Sequence, residues 1–136
     1  MPAPLRAACT ILLALLLAVP LAVRADDLAE YAAALERAEL QYRITLRTLE
    51  TSGRDETAAE VRLFRQTWQD VIARLDSNRP AELEGDASHA ATMTQIDAQL
   101  VGIAIVVDIG SRDAARAALS PIGDVLMKLR RQADRR

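Results

Sequence analysis

The sequence has little of what most catalytic and redox sites are made from. Its 136 residues include one cysteine, one histidine and four aromatic residues. Cys9 lies in the apolar N-terminal segment, so the rest of the chain has no disulfide, thiolate nucleophile or cysteine metal ligand. The five glycines are isolated from one another, which excludes a glycine-rich phosphate loop.

The single histidine, His89, is the only candidate for a general base near neutral pH. Ser88 adjoins it, but neighbouring helix residues diverge by about 100° around the axis and cannot form a nucleophile–base hydrogen bond. We therefore expect a protein that is not an enzyme and that carries no cofactor.

A basic surface is also missing. Loss of residues 1–25 would take Arg6 and Arg24 with it, so that the net charge falls from −2 to about −4. The pairs Arg130–Arg131 and Arg135–Arg136 close the last helix and the tail, where cations complement the helix dipole. Nucleic-acid binding is therefore not expected.

The N-terminal 25 residues have the layout of a secretory signal peptide. Arg6 precedes the apolar run 11–19, which is too short to span a bilayer comfortably. Val23 and Ala25 place small residues at the −3 and −1 positions before Asp26. We expect cleavage after Ala25, export to a periplasm and no stable membrane span in the mature chain.

What the sequence does contain is helical periodicity from Asp26 onward, without the alternation typical of strands. Four helices are predicted: the first from near Asp27 to Ser52–Gly53, the second from near Asp55 to Ser77–Pro80, the third from Asp86 or Ser88 to Ile109, and the fourth after Gly110–Ser111. Each helix carries one apolar stripe. The predicted core positions are Leu28, Tyr31, Leu35, Tyr42, Leu46 and Leu49; Val61, Phe64, Trp68, Val71, Ile72 and Leu75; His89, Met93, Ile96, Leu100, Ile103 and Val107; and Ala115, Leu119, Ile122, Leu126 and Leu129.

Short turns make each half an αα-hairpin, residues 27–76 and 87–133, joined by the loop 77–86. The predicted fold is therefore all-α, an up-down-up-down four-helix bundle forming one domain over residues 26–136. Pro121 predicts a kink in the fourth helix or a break into two short helices. Trp68 is expected to be buried near the middle of the core.

A shift of 58 residues aligns the two hairpins, so that Tyr31 falls on His89 and Arg54 on Arg112. Few identities accompany the match. A true duplication and a chance alignment of two amphipathic hairpins both account for it.

His89 and Met93 lie one turn apart on the same helix face and could hold a soft ion such as Cu(I). Two ligands make a weak site, and the alternative is a histidine at the end of the bundle core. Asp86 and His89 supply only one of the two acid–histidine units that a di-iron bundle needs.

The back of the third helix is the strongest feature outside the core. Ala98, Gly102, Ile105 and Ile109 lie opposite the core stripe, so this helix is apolar nearly all round. Two interpretations stay open: an interface for a partner, or a helix enclosed by the rest of the chain. Asp108, between apolar neighbours, is expected to pair with Arg112.

Together these features predict an exported, non-catalytic helical bundle that binds another protein, as a homodimer or beside another envelope protein. The alternative is a small periplasmic metal- or ligand-binding bundle that uses His89 and Met93. The architecture resembles that of exported four-helix bundles, and architecture alone does not determine function.

Overall fold

In the computed structural model, the backbone is described from residue 5 and the side chains from residue 26 to the C-terminus. This part of the chain consists of helices and contains no strand. The helices are α1 (Leu5–Thr51), α2 (Arg54–Ser77), α3 (Ala87–Ile109) and α4 (Arg112–Ala133), with a short 3₁₀ turn at Ala81–Leu83. The predicted all-α four-helix bundle is confirmed.

Each helix packs against two others. α1 and α3 both contact α2 and α4, so α1 and α3 lie on one diagonal of the bundle and α2 and α4 on the other. Tyr31 of α1 bonds His89 in the first turn of α3, which shows that these two helices start their packed segments at the same end. Short turns then make sequential helices antiparallel neighbours.

The first helix begins earlier than predicted. α1 starts at Leu5 and continues through residues 24–27 without a break. The chain has no glycine or proline between residues 21 and 52, and alanine and leucine are strong helix formers. The predicted signal peptide, residues 1–25, lies outside the residues whose side chains are described, and its cleavage stays a prediction.

The turn signals end the helices where expected. Asp86 caps α3, because its carboxylate accepts the backbone N–H of His89 at 2.9 Å. Gly110 ends α3 in the left-handed region, with φ of 89°. Ser111 stands at the N-cap of α4, but its side chain makes no capping hydrogen bond.

The predicted pair of Asp108 and Arg112 is wrong. Among residues 26–136, Asp108 is exposed and has no salt-bridge partner. Arg112 instead donates from Nη2 to the carbonyl of Ser52, at 2.9 Å. The break at Gly110 takes Arg112 off the helix face of Asp108 and directs it to the C-terminal end of α1, where carbonyls lack helical partners.

The core lies where the four apolar stripes meet. Phe64 and Trp68 are fully buried at its centre, and the indole N–H of Trp68 donates to the carbonyl of Met93 at 3.0 Å. The predicted burial of Trp68 is confirmed. The predicted stripes of α3 and α4 are buried throughout.

α1 departs from its predicted stripe. Its fully buried positions include two small residues outside the prediction, Ala38 and Thr45, whereas Tyr42 and Leu46 are half-buried. The hydroxyl of Thr45 donates to the carbonyl of Gln41 at 2.9 Å, so this polar group is satisfied inside the helix. Small side chains let α1 approach its neighbours closely.

α4 is one helix over Arg112–Ala133 and runs through Pro121, so it is not broken in two. A kink at Pro121 stays a prediction. Two residues on, Gly123 is buried where α4 meets α1, and a Cβ atom there would lie 2.5 Å from Cζ of Tyr42.

Candidate functional site

The only histidine of the chain lies at one end of the bundle and is almost completely buried. His89 is 7% exposed, and the Tyr31 hydroxyl lies 2.7 Å from its Nε2. The two rings meet edge to face, with centroids 5.6 Å apart. A contact across the diagonal of the bundle therefore holds the imidazole in place.

Both rings are neutral at physiological pH. Burial lowers the pKa of His89, against the opposing effect of the nearby Asp86 carboxylate, because desolvation disfavours the charged imidazolium. Burial likewise raises the pKa of Tyr31, so its phenol keeps its proton. The site thus contains one neutral phenol and one neutral imidazole.

The hydrogen-bond pattern determines which ring nitrogen carries the proton. If the phenol donates to Nε2, only the opposite nitrogen, Nδ1, lacks a partner. If Nε2 donates to the phenol oxygen instead, two groups lack a hydrogen-bond partner: the phenol hydrogen and the Nδ1 lone pair of His89. This arrangement is less stable. This balance favours the tautomer that has its hydrogen on Nδ1. Nδ1 is buried and has no hydrogen-bond partner among the described residues.

His89 also forms part of the wall of a cleft between α3 and α4, with a volume of about 240 Å³. The rim of the cleft is polar. α3 contributes Ser88, Thr92, Gln95 and Gln99, and α4 contributes Lys128 and Gln132. Ile96, Val125 and Leu129 supply apolar surface. Lys128 is the only lysine of the chain, so its sole lysine and sole histidine line one cavity.

The predicted metal ligands His89 and Met93 are both buried on the inner face of α3. Met93 does not line the cleft, and Nε2 of His89 is already bonded to Tyr31. Within residues 26–136, no group of three or more His, Cys, Asp or Glu side chains is arranged to hold a metal ion. A metal site at His89 and Met93 stays a prediction.

The predicted interface residues form an exposed strip on the outer side of α3. Ile105 is 57% exposed and Ile109 is 76% exposed, and Ala98 and Gly102 are also exposed. Neither the loop 77–86 nor α4 encloses this face in the single chain. The strip and the cleft lie on different sides of α3, because none of the strip residues lines the cleft.

α3 is the one described helix that is long and apolar enough to cross a membrane by length and composition. The core helix of a globular bundle meets the same criteria. The inner face of α3, from His89 to Val107, is in fact buried against its neighbours.

A smaller cavity of about 70 Å³ lies at the opposite end of the bundle, where the two hairpin turns meet. Pairs of residues 58 positions apart line it: Leu49 and Val107, Gly53 and Ser111, and Arg54 and Arg112. At the other end of the bundle, the hydrogen-bonded residues Tyr31 and His89 are also 58 positions apart. The two hairpins therefore occupy equivalent places in the bundle, as the alignment predicted. Whether they arose by duplication stays open.

Sequence reasoning missed two features of the surroundings of His89. The first is Tyr31 as the partner of His89; the shift of 58 residues had already placed them at equivalent positions. The second is the polar rim. Glutamines and a lysine on helix surfaces are common, and the sequence does not show which of them will lie close together when two helices pack side by side.

Comparison with known protein families, with curated proteins and with solved structures gives no significant match to this chain. The arguments about function below therefore depend on geometry and chemistry.

Proposed function

We propose that this protein is an exported, non-catalytic helical bundle that acts by protein–protein contact, with the outer face of α3 as the interface. The observation that carries the proposal is the exposure of Ile105 and Ile109 on one helix face. The inner face of the same helix already supplies its share of the core. A contiguous apolar patch marks an interaction site, unlike apolar residues scattered singly over a surface.

The partner we propose is a second copy of the chain. Along the strip, small residues occupy the N-terminal half and large ones the C-terminal half. In a two-fold antiparallel contact centred near Gly102, Ile105 of one copy would face Ala98 of the other. Large side chains would then meet small ones, and apolar surface would be buried twice.

Gly102 supports close approach at this position. A Cβ atom there would have no neighbour within 4 Å, so packing inside the chain does not require glycine. Glycine within a helix costs about 1 kcal/mol relative to alanine. A second helix that crosses at Gly102 could approach the backbone closely, which would explain why glycine occurs at this position.

The charges beside the strip favour a protein partner over a lipid surface. Asp97 is held by Arg65 of α2, with Nε and Oδ1 3.1 Å apart, and Asp108 is exposed without an ion pair in the described chain. Carboxylates are accepted at the rim of a protein interface, whereas an anionic membrane surface repels them.

The decisive experiment compares two exposed isoleucines. Ile105→Glu is expected to convert a dimer to a monomer in sedimentation equilibrium at high micromolar concentration, with unchanged helicity by circular dichroism. Ile44→Glu is the matched control, because Ile44 is 41% exposed on α1, across the bundle from α3.

Three results would overturn the proposal. They are a monomeric parent protein, dissociation by Ile44→Glu in place of Ile105→Glu, and a monomer that co-sediments with phosphatidylcholine vesicles. The last would assign the strip to lipid.

The metal-binding alternative has less support. The Tyr31 hydroxyl occupies Nε2 of His89, and Met93 lies outside the cleft. Metal analysis and an absorption spectrum of the purified protein test it directly.

A further inference from the structure

We propose that the outer face of α1 binds the surface of an anionic phospholipid bilayer. This surface, the basic face, consists of five residues of α1: Arg37, Leu40, Arg43, Ile44 and Arg47. α1 and α3 lie on one diagonal of the bundle and share no neighbouring edge. The basic face is therefore separate from the proposed interface, and it would function in a monomer as well as in a dimer.

Helical spacing brings the basic face together. Its members follow one another at intervals of one, three or four positions, which places them on the outer half of one helix. All five side chains are exposed; the exposed fraction is 56% for Leu40 and 41% for Ile44. Two large apolar side chains therefore stand in water with arginines on either side of them along the helix.

The nearest acidic residues of α1 are engaged by α4. Glu36 lies 3.7 Å from Nη2 of Arg130, and Glu39 accepts from Nη1 of the same guanidinium at 2.9 Å. Glu39 also bonds Arg43, whose side chain nevertheless is 63% exposed. The other two arginines of the basic face form no salt bridge within residues 26–136. Three guanidinium groups thus remain available to an anion outside the chain.

α2 extends this surface with the same character. Nε2 of Gln41 donates to Glu60 at 2.7 Å, so the middle of α1 packs beside this part of α2. Leu63 lies three positions after Glu60, on the same side of the helix, and is 46% exposed. Arg62 precedes it and is also exposed. The apolar surface and the positive charge therefore continue from one helix to the next.

The positive character is local, because the whole chain has a net charge of −2. The groove between α1 and α2 contains one acidic residue, Asp70, beside the two arginines Arg37 and Arg74. No basic run marks this surface in the sequence, since the arginines of the basic face are four to six positions apart. An acidic chain with one basic side would approach an anionic surface in one orientation.

Charge and size together favour a bilayer as the partner. Arginines attract anionic headgroups, and leucine and isoleucine side chains can enter the apolar boundary beneath them. Three exposed apolar residues are few for a specific protein interface, which uses about 20–30 residues on each side. A fluid bilayer requires no complementary shape. The strip of α3 differs, because its neighbours Asp97 and Asp108 are acidic.

Co-sedimentation with lipid vesicles tests the proposal on protein recovered after export. Vesicles of equal parts phosphatidylglycerol and phosphatidylcholine are expected to bind the protein at least about tenfold more tightly than phosphatidylcholine alone. Added sodium chloride should weaken this binding, because salt screens the headgroup charge. All variants are compared in the same N-terminal form, measured by intact mass, so residues 1–25 cannot account for a difference between them.

Two double variants with the same change in net charge form a matched pair. Arg37→Gln with Arg47→Gln removes two cations of the basic face and is expected to weaken binding about 25-fold, or about fivefold for each arginine. Arg131→Gln with Arg135→Gln removes two exposed cations near the end of the chain and should leave binding unchanged.

Two single variants test the apolar part and the separation from the α3 contact. Leu40→Gln keeps the charge and is expected to weaken vesicle binding about fivefold, because an apolar side chain no longer enters the bilayer. Ile105→Glu should leave vesicle binding unchanged even if it dissociates a dimer. Failure of the bilayer proposal and failure of the proposed interface are therefore distinguishable.

Four results would overturn the proposal. They are equal binding to phosphatidylcholine alone, equal loss of affinity in both double variants, full binding by Leu40→Gln, and no binding to either kind of vesicle. The second would indicate a general effect of net charge. The last would leave an acidic protein as the occupant and would refute the assignment to lipid.

Discussion

Two glycines lie in the middle of helices, and packing within the chain requires only one of them. A Cβ atom at Gly123 would lie 2.5 Å from Cζ of Tyr42, whereas at Gly102 it would meet open space. Tyr42 in turn packs edge to face on Phe64, with centroids 6.1 Å apart, so its ring has little freedom to move away.

Gly123→Ala is therefore expected to lower the free energy of unfolding by about 1–3 kcal/mol through overpacking. Gly102→Ala is expected to raise it by about 0.5–1 kcal/mol, because alanine loses less backbone entropy in a helix. Urea denaturation below the dimerisation range measures both. Destabilisation by Gly102→Ala in the monomer would show that the outer face of α3 is not free.

His89 makes stability depend on pH between neutral and mildly acidic conditions. Burial and the cations Arg79 and Arg136 lower the pKa of the folded imidazole, and only Asp86 opposes them. The unfolded state therefore binds more protons below its ordinary pKa of 6.5. We therefore expect His89 to have no effect on the free energy of unfolding well above pH 6.5. Below this pH the free energy of unfolding is expected to fall as the pH decreases toward the folded pKa of His89.

Chemical denaturation at pH 8, 7, 6 and 5 checks this sign. His89→Gln should remove the slope in this window. Protonation of Glu39 does not interfere with this measurement. Arg130 and Arg43 lower the pKa of Glu39 from 4.5, so its effect on the free energy of unfolding begins at more acidic pH. A wild-type protein that becomes more stable from pH 7 to pH 5 would contradict the burial of a neutral imidazole.

Among the helices, α4 contains the clearest local conflict. Pro121 is exposed inside a continuous helix, so it removes the backbone donor that would bond the carbonyl of Ala117 and brings no buried contact in exchange. Pro121→Ala is expected to stabilise the protein by about 1–3 kcal/mol and to raise its melting temperature.

Calorimetry of Pro121→Ala beside Ser120→Ala tests this, since Ser120 is an exposed neighbour with a normal backbone donor. A lower melting temperature for Pro121→Ala alone would show that the packing of α4 depends on a bend at the proline.

For the molecule as a whole, the proposed signal peptide predicts where the mature chain begins. α1 runs from Leu5, and its first buried core residue in the described part is Tyr31. Cleavage after Ala25 would leave the core intact. It would also place Asp26 and Asp27 at the new helix N-terminus, where negative charge is favourable.

We predict that protein recovered from the periplasm of an expression host starts at Asp26, and intact-mass spectrometry measures this directly. Ala25→Phe should block cleavage by removing the small residue at −1. Exported wild-type protein that retains residues 1–25 would make this an N-terminally anchored protein instead.

Local chemistry decided which features could be predicted from the sequence. The apolar stripes of α3 and α4 follow helical periodicity, and the ends of α3 follow from Asp86 and Gly110. Each of these signals depends on residues within one or two turns of each other. The start of α1 was missed because nothing near Asp27 stops a helix.

The sequence by itself determined the four helices, the core faces of α3 and α4 and the poverty of catalytic side chains, because composition and periodicity are properties of the chain. Only the tertiary structure decided that Tyr31 meets His89, that Arg112 turns to Ser52 rather than Asp108, and that Lys128 shares a cleft with the imidazole. These contacts join residues 39 to 60 positions apart. They depend on how whole helices pack, and a periodic pattern records which face of a helix is buried but not which side chain it will meet.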